Sequence, residues 1–355
     1  MDKLHFSPQI VERVLGERTF PIPLEGGRQI VGVEQLGIPE SARRMSEKLH
    51  KVYGVHNLSR DVSQIQGEIE RGVLEPIFII HEGETVAQAA FVKGPKTIEL
   101  GRTAGAGGGL LMRKLAQIWQ DDPDENRVLV AETRMAAPWE GIDGGQGSQA
   151  TLLNPEKVGM IPHAFMPTFQ HPGPNGPMRQ EMFGFLFKEK AGCESKRVAP
   201  EFIHLSDRPE MNRKLIQLLI GVNGFGTEIC KGRRSTWAQH KNFELTQQAG
   251  IPFNVLVLSP IGGVKFIPHE SSSPFDLVEL STFDRDLSVQ ADFLVNNGFF
   301  CCGISPPHDG KLKLLFGRLR KTEFAPTQVM DGMPFIRPEL ILQVHNQFAQ
   351  KMQQL

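Results

Sequence analysis

The chain has 355 residues, of which 40% are hydrophobic and 22% are charged, and its formal net charge is −1. These values are typical of a soluble globular protein with two or three domains. The balanced charge disfavours nucleic acid and anionic membranes as partners. The N-terminal stretch lacks a signal peptide's apolar core, and no apolar run reaches the roughly 18 residues of a membrane span. We therefore expect a cytoplasmic protein whose four cysteines are free thiols.

The first half of the chain alternates strand and helix patterns. Residues 1–27 are predicted to be an irregular N-terminal extension. The predicted elements that follow are a strand (28–37), two helices (39–54 and 61–73), a hairpin (77–92), a strand (96–104), a helix (110–120), a strand (127–135), a short helix (148–159) and two strands (160–169 and 181–188). Residues 189–200 then have the composition of a linker.

The second half, residues 200–355, has a similar alternation. Its predicted elements are a strand (201–206), a helix (210–224), three strands (253–260, 263–268 and 275–281), a helix (288–298), two strands (299–307 and 311–319) and a final helix (338–355). Gly159-Met160 precedes Pro167, and Gly298-Phe299 precedes Pro306, with a spacing of eight between glycine and proline in both halves. This repeat indicates two copies of one unit.

A glycine-rich stretch, "TIELGRTAGAGGGLLMRKLAQIW" (97–119), joins a predicted strand to a predicted helix. Five of the nine residues from 101 to 109 are glycine. Glycines let the backbone approach an anion closely, and a helix N-terminus supplies unpaired N–H groups and partial positive charge. The stretch is therefore a candidate phosphate site. A dinucleotide site is the weaker interpretation, because Leu110 stands where its third glycine is required. A structural turn is a further alternative.

The order of elements and this loop resemble the GNAT superfamily of N-acetyltransferases over about residues 28–190. Its signature [RQ]-x-x-G-x-[GA] is matched by residues 102–107, and two leucines follow at the usual offset. Its Tyr-x-x-x-Gly-Phe element is matched by Gly159 and Met160, with Pro155 in place of the tyrosine. The resemblance implies acetyl-CoA or another acyl-CoA as cosubstrate and no metal. The implied coenzyme contacts are Arg102, Gly105, Ala106, Gly107, Gly108, Gly109, Leu110 and Asn154.

Arg102 has two interpretations. It follows Glu99 by only three residues, whereas the family usually has a longer segment between its strand and the signature arginine. Arg102 is therefore either a phosphate ligand or an anchoring residue at the end of the strand. In the second case the loop consists of the glycines alone.

Acyl transfer to an amine requires a base, because the attacking ammonium must lose a proton. Glu132 and Glu99 are the candidate bases, since each places a carboxylate in an otherwise apolar strand. The family's thiolate is often protonated by a tyrosine, but the single tyrosine here, Tyr53, ends a helix and is expected to pack. Ser148, Asn154, water or unassisted departure remain as alternatives. The acceptor pocket has two candidate residues, His163 and His171.

The fold expected is a mixed-sheet α/β (α+β) protein of two GNAT-like domains, 28–190 and 200–355, the second lacking the signature. The expected function is acyl-CoA-dependent N-acyl transfer to a small amine or an amino acid, by direct attack on the thioester. The alternatives are a non-catalytic or regulatory protein and an aminoacyl-tRNA-dependent transferase, the latter suggested by the basic segment 230–241. The amphipathic C-terminal helix is consistent with docking on the fold or on a second subunit in a homodimer.

Overall fold

The computed structural model describes eleven parts of the chain. They are residues 6–53, 61–134, 155, 157–170, 179–190, 197–232, 241–247, 255–264, 275–305, 310–319 and 338–352. The α-helices in these parts are α1 (Pro8–Gly16), α2 (Val33–Leu36), α3 (Ile38–Tyr53), α4 (Val62–Glu70), α5 (Gly108–Asp121), α6 (Arg213–Val222), α7 (Leu287–Asn296) and α8 (Pro338–Met352). No helix in the described parts is long and apolar enough to cross a membrane.

Most of the described strands belong to one sheet. In chain order the strands are β1 (Ile22–Pro23), β2 (Gln29–Val31), β3 (Leu74–His81), β4 (Glu84–Lys93), β5 (Thr97–Gly105), β6 (Val128–Arg134), β7 (Ile161–Gln170), β8 (Arg179–Lys188), β9 (Phe202–Leu205), β10 (Glu228–Lys231), β11 (Lys241–Gln247), β12 (Val255–Val264), β13 (Phe275–Ser281), β14 (Phe300–Ile304) and β15 (Lys313–Leu319). Thirteen of these form a mixed sheet in the order β1-β2-β3-β4-β5-β6-β8-β7-β14-β15-β13-β12-β11, and β9 and β10 form a separate parallel pair. The predicted α/β class is confirmed.

Helices cover the two faces of the sheet in the first half. On one face, α5 and α1 pack against β5 and β6 through residues such as Leu111, Val14 and Leu129. We call this the α5 face. On the other, α3 and α4 pack against β3 and β4 through residues such as Met45 and Phe78. We call this the α3 face.

The N-terminal segment departs from its prediction. Ser7 caps α1 by accepting a hydrogen bond from the backbone N–H of Ile10 at 3.3 Å, and β1 pairs with β2. The expectation of irregular backbone over residues 1–27 is therefore wrong. The strand predicted at 28–37 is also shorter than expected, because the chain turns into α2 after Gly32. The Gly32 N–H donates to Gln35 Oε1 at 2.9 Å, which starts this short helix.

The two halves meet where β7 lies beside β14. Ala164 on β7 pairs with Gly303 on β14, and Ala164 belongs to a core that includes residues of α6 and α8. Helix α6 crosses this junction. At its start Asn212 Nδ2 donates to the carbonyl of Cys301 on β14 at 2.6 Å, and just past its end Asn223 Nδ2 donates to the carbonyl of Pro162 on β7 at 3.0 Å. The junction is therefore a shared core.

Candidate active site

Two parallel strands part near the centre of the first half. Strands β5 and β6 pair only at their starts, from Thr97 with Val128 to Glu99 with Val130. Strand β5 continues to Gly105 and β6 to Arg134, where β6 keeps its antiparallel pairing with β8. A cleft therefore opens between the carboxyl ends of two neighbouring parallel strands, the usual place for a ligand in an α/β sheet.

Arg102 lies inside β5. Its φ of +55° belongs to the left-handed region, and the β4–β5 register shifts at this point, between Gln88 and Ala90. The residue is only 7% exposed, and Gln88 Nε2 donates to its carbonyl oxygen at 3.3 Å. A non-glycine residue in this conformation persists where its surroundings hold it in place. Arg102 thus belongs to a strand bulge, which favours the anchoring interpretation over the phosphate-ligand one.

The loop glycines pack closely against the protein. Gly105 and Gly107 have φ values of +87° and +102°. A Cβ on Gly107 would lie 2.7 Å from Ile79 Cδ1, and one on Gly108 would lie 2.6 Å from Thr103 Cγ2. A side chain at either position would have to displace its neighbour, and the positive φ of Gly107 itself favours glycine. The structural-turn alternative therefore explains part of the glycine pattern, whether or not a phosphate binds.

The turn leaves the start of α5 without a side-chain cap in the described residues. Its N-cap is Gly107, and its first turn contains no acidic residue. Leu110 and Leu111 donate their N–H groups to the Gly107 carbonyl at 3.0 and 3.3 Å, so the amides of Gly108 and Gly109 precede the first intrahelical bonds. By contrast, side chains cap α1 and α4. The partial positive charge of α5 is therefore well suited to an anion.

Lys48 is a residue that the sequence analysis did not single out. It belongs to α3, is only 6% exposed, and its Cε would lie 2.8 Å from a Cβ on Gly105. A buried lysine side chain thus reaches the end of β5, just before the glycine turn. The sequence contained a signal, because Lys48 interrupts the stripe of buried residues formed by Met45 and Leu49 on the same helix.

The two candidate bases lie on the same face of the sheet. Glu99 pairs in register with Val130, and Glu132 follows two residues later on the same strand, so both side chains point to the α3 face. Burial raises the pKa of the Glu132 carboxyl well above its ordinary value, and the negative charge of Glu99 raises it further. The positive charge of Arg102 acts in the opposite direction on the Glu132 pKa. Glu132 nevertheless keeps partial exposure.

The remaining predicted residues are placed as follows. His163 is buried at the junction, with Nδ1 at 2.8 Å from the carbonyl of Ile304 and its ring edge-to-face with Phe187. This is a packing position between the halves. Position 155 is a proline and therefore supplies no phenol. Its carbonyl accepts a hydrogen bond from the Met160 N–H at 3.0 Å. Ser148, Asn154, His171 and the side chain of Tyr53 lie outside the described residues, as does most of the helix predicted at 148–159.

Known N-acetyltransferase structures are similar to less than half of the chain. The N-acetyltransferase from Staphylococcus aureus Mu50 covers 46% of this chain and 97% of its own, at 7% identity and a TM-score of 0.33. The ribosomal-protein-alanine N-acetyltransferase from Brucella melitensis covers 45% and 98%, at 16% identity and 0.33. A putative acetyltransferase from Salmonella typhimurium, solved with its cofactor acetyl-CoA, covers 47% and 96%, at 14% identity and 0.32.

Likeness at this level assigns neither a family nor an activity to the chain. No protein-family model matches the sequence, and no curated protein matches it. The predicted order of elements is nevertheless present: two helices, a hairpin, a glycine turn into a helix, and two parallel strands that part. The order of elements predicted for this half is therefore confirmed. No group of side chains suited to a metal ion occurs in the described residues.

Proposed function

We propose that the protein is an acyl-CoA-dependent N-acyltransferase that transfers an acetyl group to the amine of a small molecule or an amino acid. The observation that carries this proposal is the uncapped N-terminus of α5, which follows directly from the strand that parts from β6. The uncapped helix end thus follows the carboxyl end of β5, and the two carboxyls lie where β5 and β6 stop pairing. The pyrophosphate of coenzyme A fits the first, and an ammonium acceptor fits the second.

We assign a role to each residue of the candidate site. The amides of Gly108 and Gly109 hold the pyrophosphate, with Lys48 contributing positive charge beside Gly105. The pantetheine arm lies between the parted strands, whose backbone supplies hydrogen bonds to it. Glu132 takes the proton of the acceptor ammonium, so that the amine lone pair can attack.

The attack is direct. The amine lone pair forms a C–N bond with the thioester carbonyl carbon, and the π pair of the carbonyl moves onto its oxygen. As this pair re-forms the carbonyl, the C–S bond breaks and its electron pair leaves on the sulfur, while the nitrogen loses its second proton to solvent. Because proline replaces the family's tyrosine at position 155, we assign protonation of the departing thiolate to solvent. Backbone N–H groups beside the cleft stabilise the oxyanion.

The decisive test combines binding and turnover. Acetyl-CoA is expected to raise the melting temperature, because a ligand that binds only the folded state stabilises it. Free thiol is expected to be released when a panel of amines and amino acids is added. Lys48→Met should weaken the melting shift, and Lys48→Arg should retain most of it.

Two results would assign a different function to the protein. A melting shift without thiol release for any acceptor would support a regulatory protein that binds acyl-CoA. An unchanged melting temperature with every acyl-CoA tested, together with retention of tRNA on the protein, would overturn the proposal in favour of an aminoacyl-tRNA-dependent transferase.

A further inference from the structure

The junction between the halves contains a local two-fold axis. Ala164 follows Gly159 by five residues, and Gly303 follows Gly298 by five residues. Ala164 and Gly303 are paired with each other across the antiparallel β7–β14 contact. When equivalent residues of two antiparallel strands face each other, a two-fold axis perpendicular to the sheet passes between them.

The surroundings of this axis match in detail. Gly159 and Gly298 both have positive φ, +78° and +84°. The residue after each glycine donates its N–H five residues back, from Met160 to Pro155 and from Phe299 to Leu294, both at 3.0 Å. The register of the next strand shifts at the same offset in both halves, at His163 and at Cys302.

Strand order repeats as well. The sequence β4-β5-β6-β8-β7 in the first half corresponds to β11-β12-β13-β15-β14 in the second. In each set the second and third strands are parallel to each other, and all other neighbouring strands are antiparallel. The repeated order and directions, together with the axis, relate the two halves residue by residue.

This relation gives Glu132 a counterpart in the second half. Glu132 pairs with Phe185, which pairs with Ala164. Glu279 pairs with Leu315, which pairs with Gly303. Glu279 on β13 therefore occupies the position that Glu132 occupies on β6.

The two carboxyls have different neighbours. Ser305 Oγ donates a hydrogen bond to Glu279 Oε1, and Lys313 Nζ lies 3.8 Å from Glu279 Oε2. By the same offsets from the axis, the first half has Met166 in place of Ser305 and Phe183 in place of Lys313. Glu279 thus has a hydroxyl donor and an ammonium partner at positions where the first half carries apolar side chains.

We infer that the second half holds a former counterpart of the transfer site, in which Glu279 is now a structural cross-link to Ser305 and Lys313, so that one site per chain transfers acyl groups. The part about activity rests on the proposed function. The cross-link itself does not, because it follows from contacts within the second half. The two parts can therefore be tested separately.

Thermal unfolding of the full chain tests the cross-link without any ligand. Glu279→Gln and Ser305→Ala are each expected to lower the melting temperature by about 2–4 °C, and the double variant to lower it by less than the sum. The matched variant Glu132→Gln is expected to leave it unchanged or raise it. Melting temperatures of Glu279→Gln and Ser305→Ala equal to that of the parent protein would overturn the cross-link. Ser305→Ala serves as the readout if Glu279→Gln does not fold.

Titration calorimetry with acetyl-CoA and the thiol-release assay test the single site. We expect one equivalent bound per chain, and turnover within about twofold of the parent for Ser305→Ala and Glu279→Gln. Two equivalents per chain, or a loss of turnover of tenfold or more in a folded Glu279→Gln, would overturn the inference. If no acyl-CoA binds at all, the proposed function fails, while the unfolding measurements still decide the role of Glu279.

Discussion

Glu99 on β5 and Glu132 on β6 lie on the same face of the sheet, at the point where these two parallel strands stop pairing. Burial raises the pKa of the Glu132 carboxyl, and because like charges so placed repel each other, the negative charge of Glu99 raises it further. The arrangement supplies two features that suit a general base, namely a carboxyl whose pKa is raised well above its ordinary value and a residue that keeps partial contact with solvent.

Removal of the proposed base is the first test. Glu132→Gln should lower kcat for thiol release by about 10²–10⁴-fold, the usual contribution of general base catalysis. The amide keeps the shape of the side chain, so the dissociation constant for acetyl-CoA should change little. A variant with normal turnover at saturating acceptor would exclude Glu132 as the base.

Glu99→Gln should separate the roles of the two carboxyls. Because the negative charge of Glu99 raises the pKa of Glu132, its removal should lower that pKa. The rising limb of the pH–rate profile should therefore move to lower pH, while turnover on the plateau remains close to that of the parent. If Glu99 is itself the base, turnover on the plateau should instead fall by orders of magnitude. Thiol-release assays across the pH range distinguish the two results.

The raised pKa of Glu132 also predicts an effect on stability. A carboxyl whose pKa is higher in the folded state than in the unfolded state favours folding where it is protonated, at low pH. This contribution is lost as the pH rises from the unfolded-state value, about 4.3, through the folded-state pKa. Glu132→Gln should therefore unfold at higher temperature than the parent near pH 8, and the difference should vanish near pH 4. Equal melting temperatures across this range would show that ionisation of the Glu132 carboxyl does not destabilise the folded state.

The sequence predicted the elements that have strong periodic patterns. The hairpin, helix α3 and strand β6 each lie close to their predicted bounds, because alternating or 3.6-residue apolar patterns determine them locally. The prediction for the N-terminal segment was wrong for another reason. Ser7 and Pro8 are a standard helix start, but α1 is short, and its stability comes from packing against α5 in another part of the chain.

Only part of the candidate site could be predicted from the sequence, for a similar reason. Glu132 could be proposed from the sequence because a carboxylate stands out in an apolar strand. The left-handed conformation of Arg102 depends on pairing with β4, and the approach of Lys48 to Gly105 depends on how α3 packs. Neither relationship is local in sequence. The sequence left Arg102 either as a phosphate ligand or as an anchoring residue at the end of the strand, and strand pairing places it inside β5.

Gly109 offers a direct test of the anion site. Gly109→Asp adds a negative charge to the first turn of α5, which should stabilise the helix in the free protein. The same charge should repel the pyrophosphate and weaken acetyl-CoA binding by at least about tenfold. Gly109→Ala is the matched control, since it adds a side chain without charge and should retain affinity. Equal losses in both variants would show that bulk, and not charge, causes the effect.

Arg102 distinguishes the loop signature from the strand bulge. Its positive charge lowers the pKa of Glu132, so Arg102→Gln should move the rising limb of the pH–rate profile to higher pH. Arg102→Lys retains the charge and should keep the limb near its original position. The dissociation constant for acetyl-CoA, measured by calorimetry, should stay within about twofold in both variants, since Arg102 belongs to β5 and the residue is only 7% exposed. A tenfold loss of acetyl-CoA affinity in Arg102→Gln, with an unchanged pH profile, would instead make Arg102 a phosphate ligand, and the base would then owe its pKa to burial and Glu99 alone.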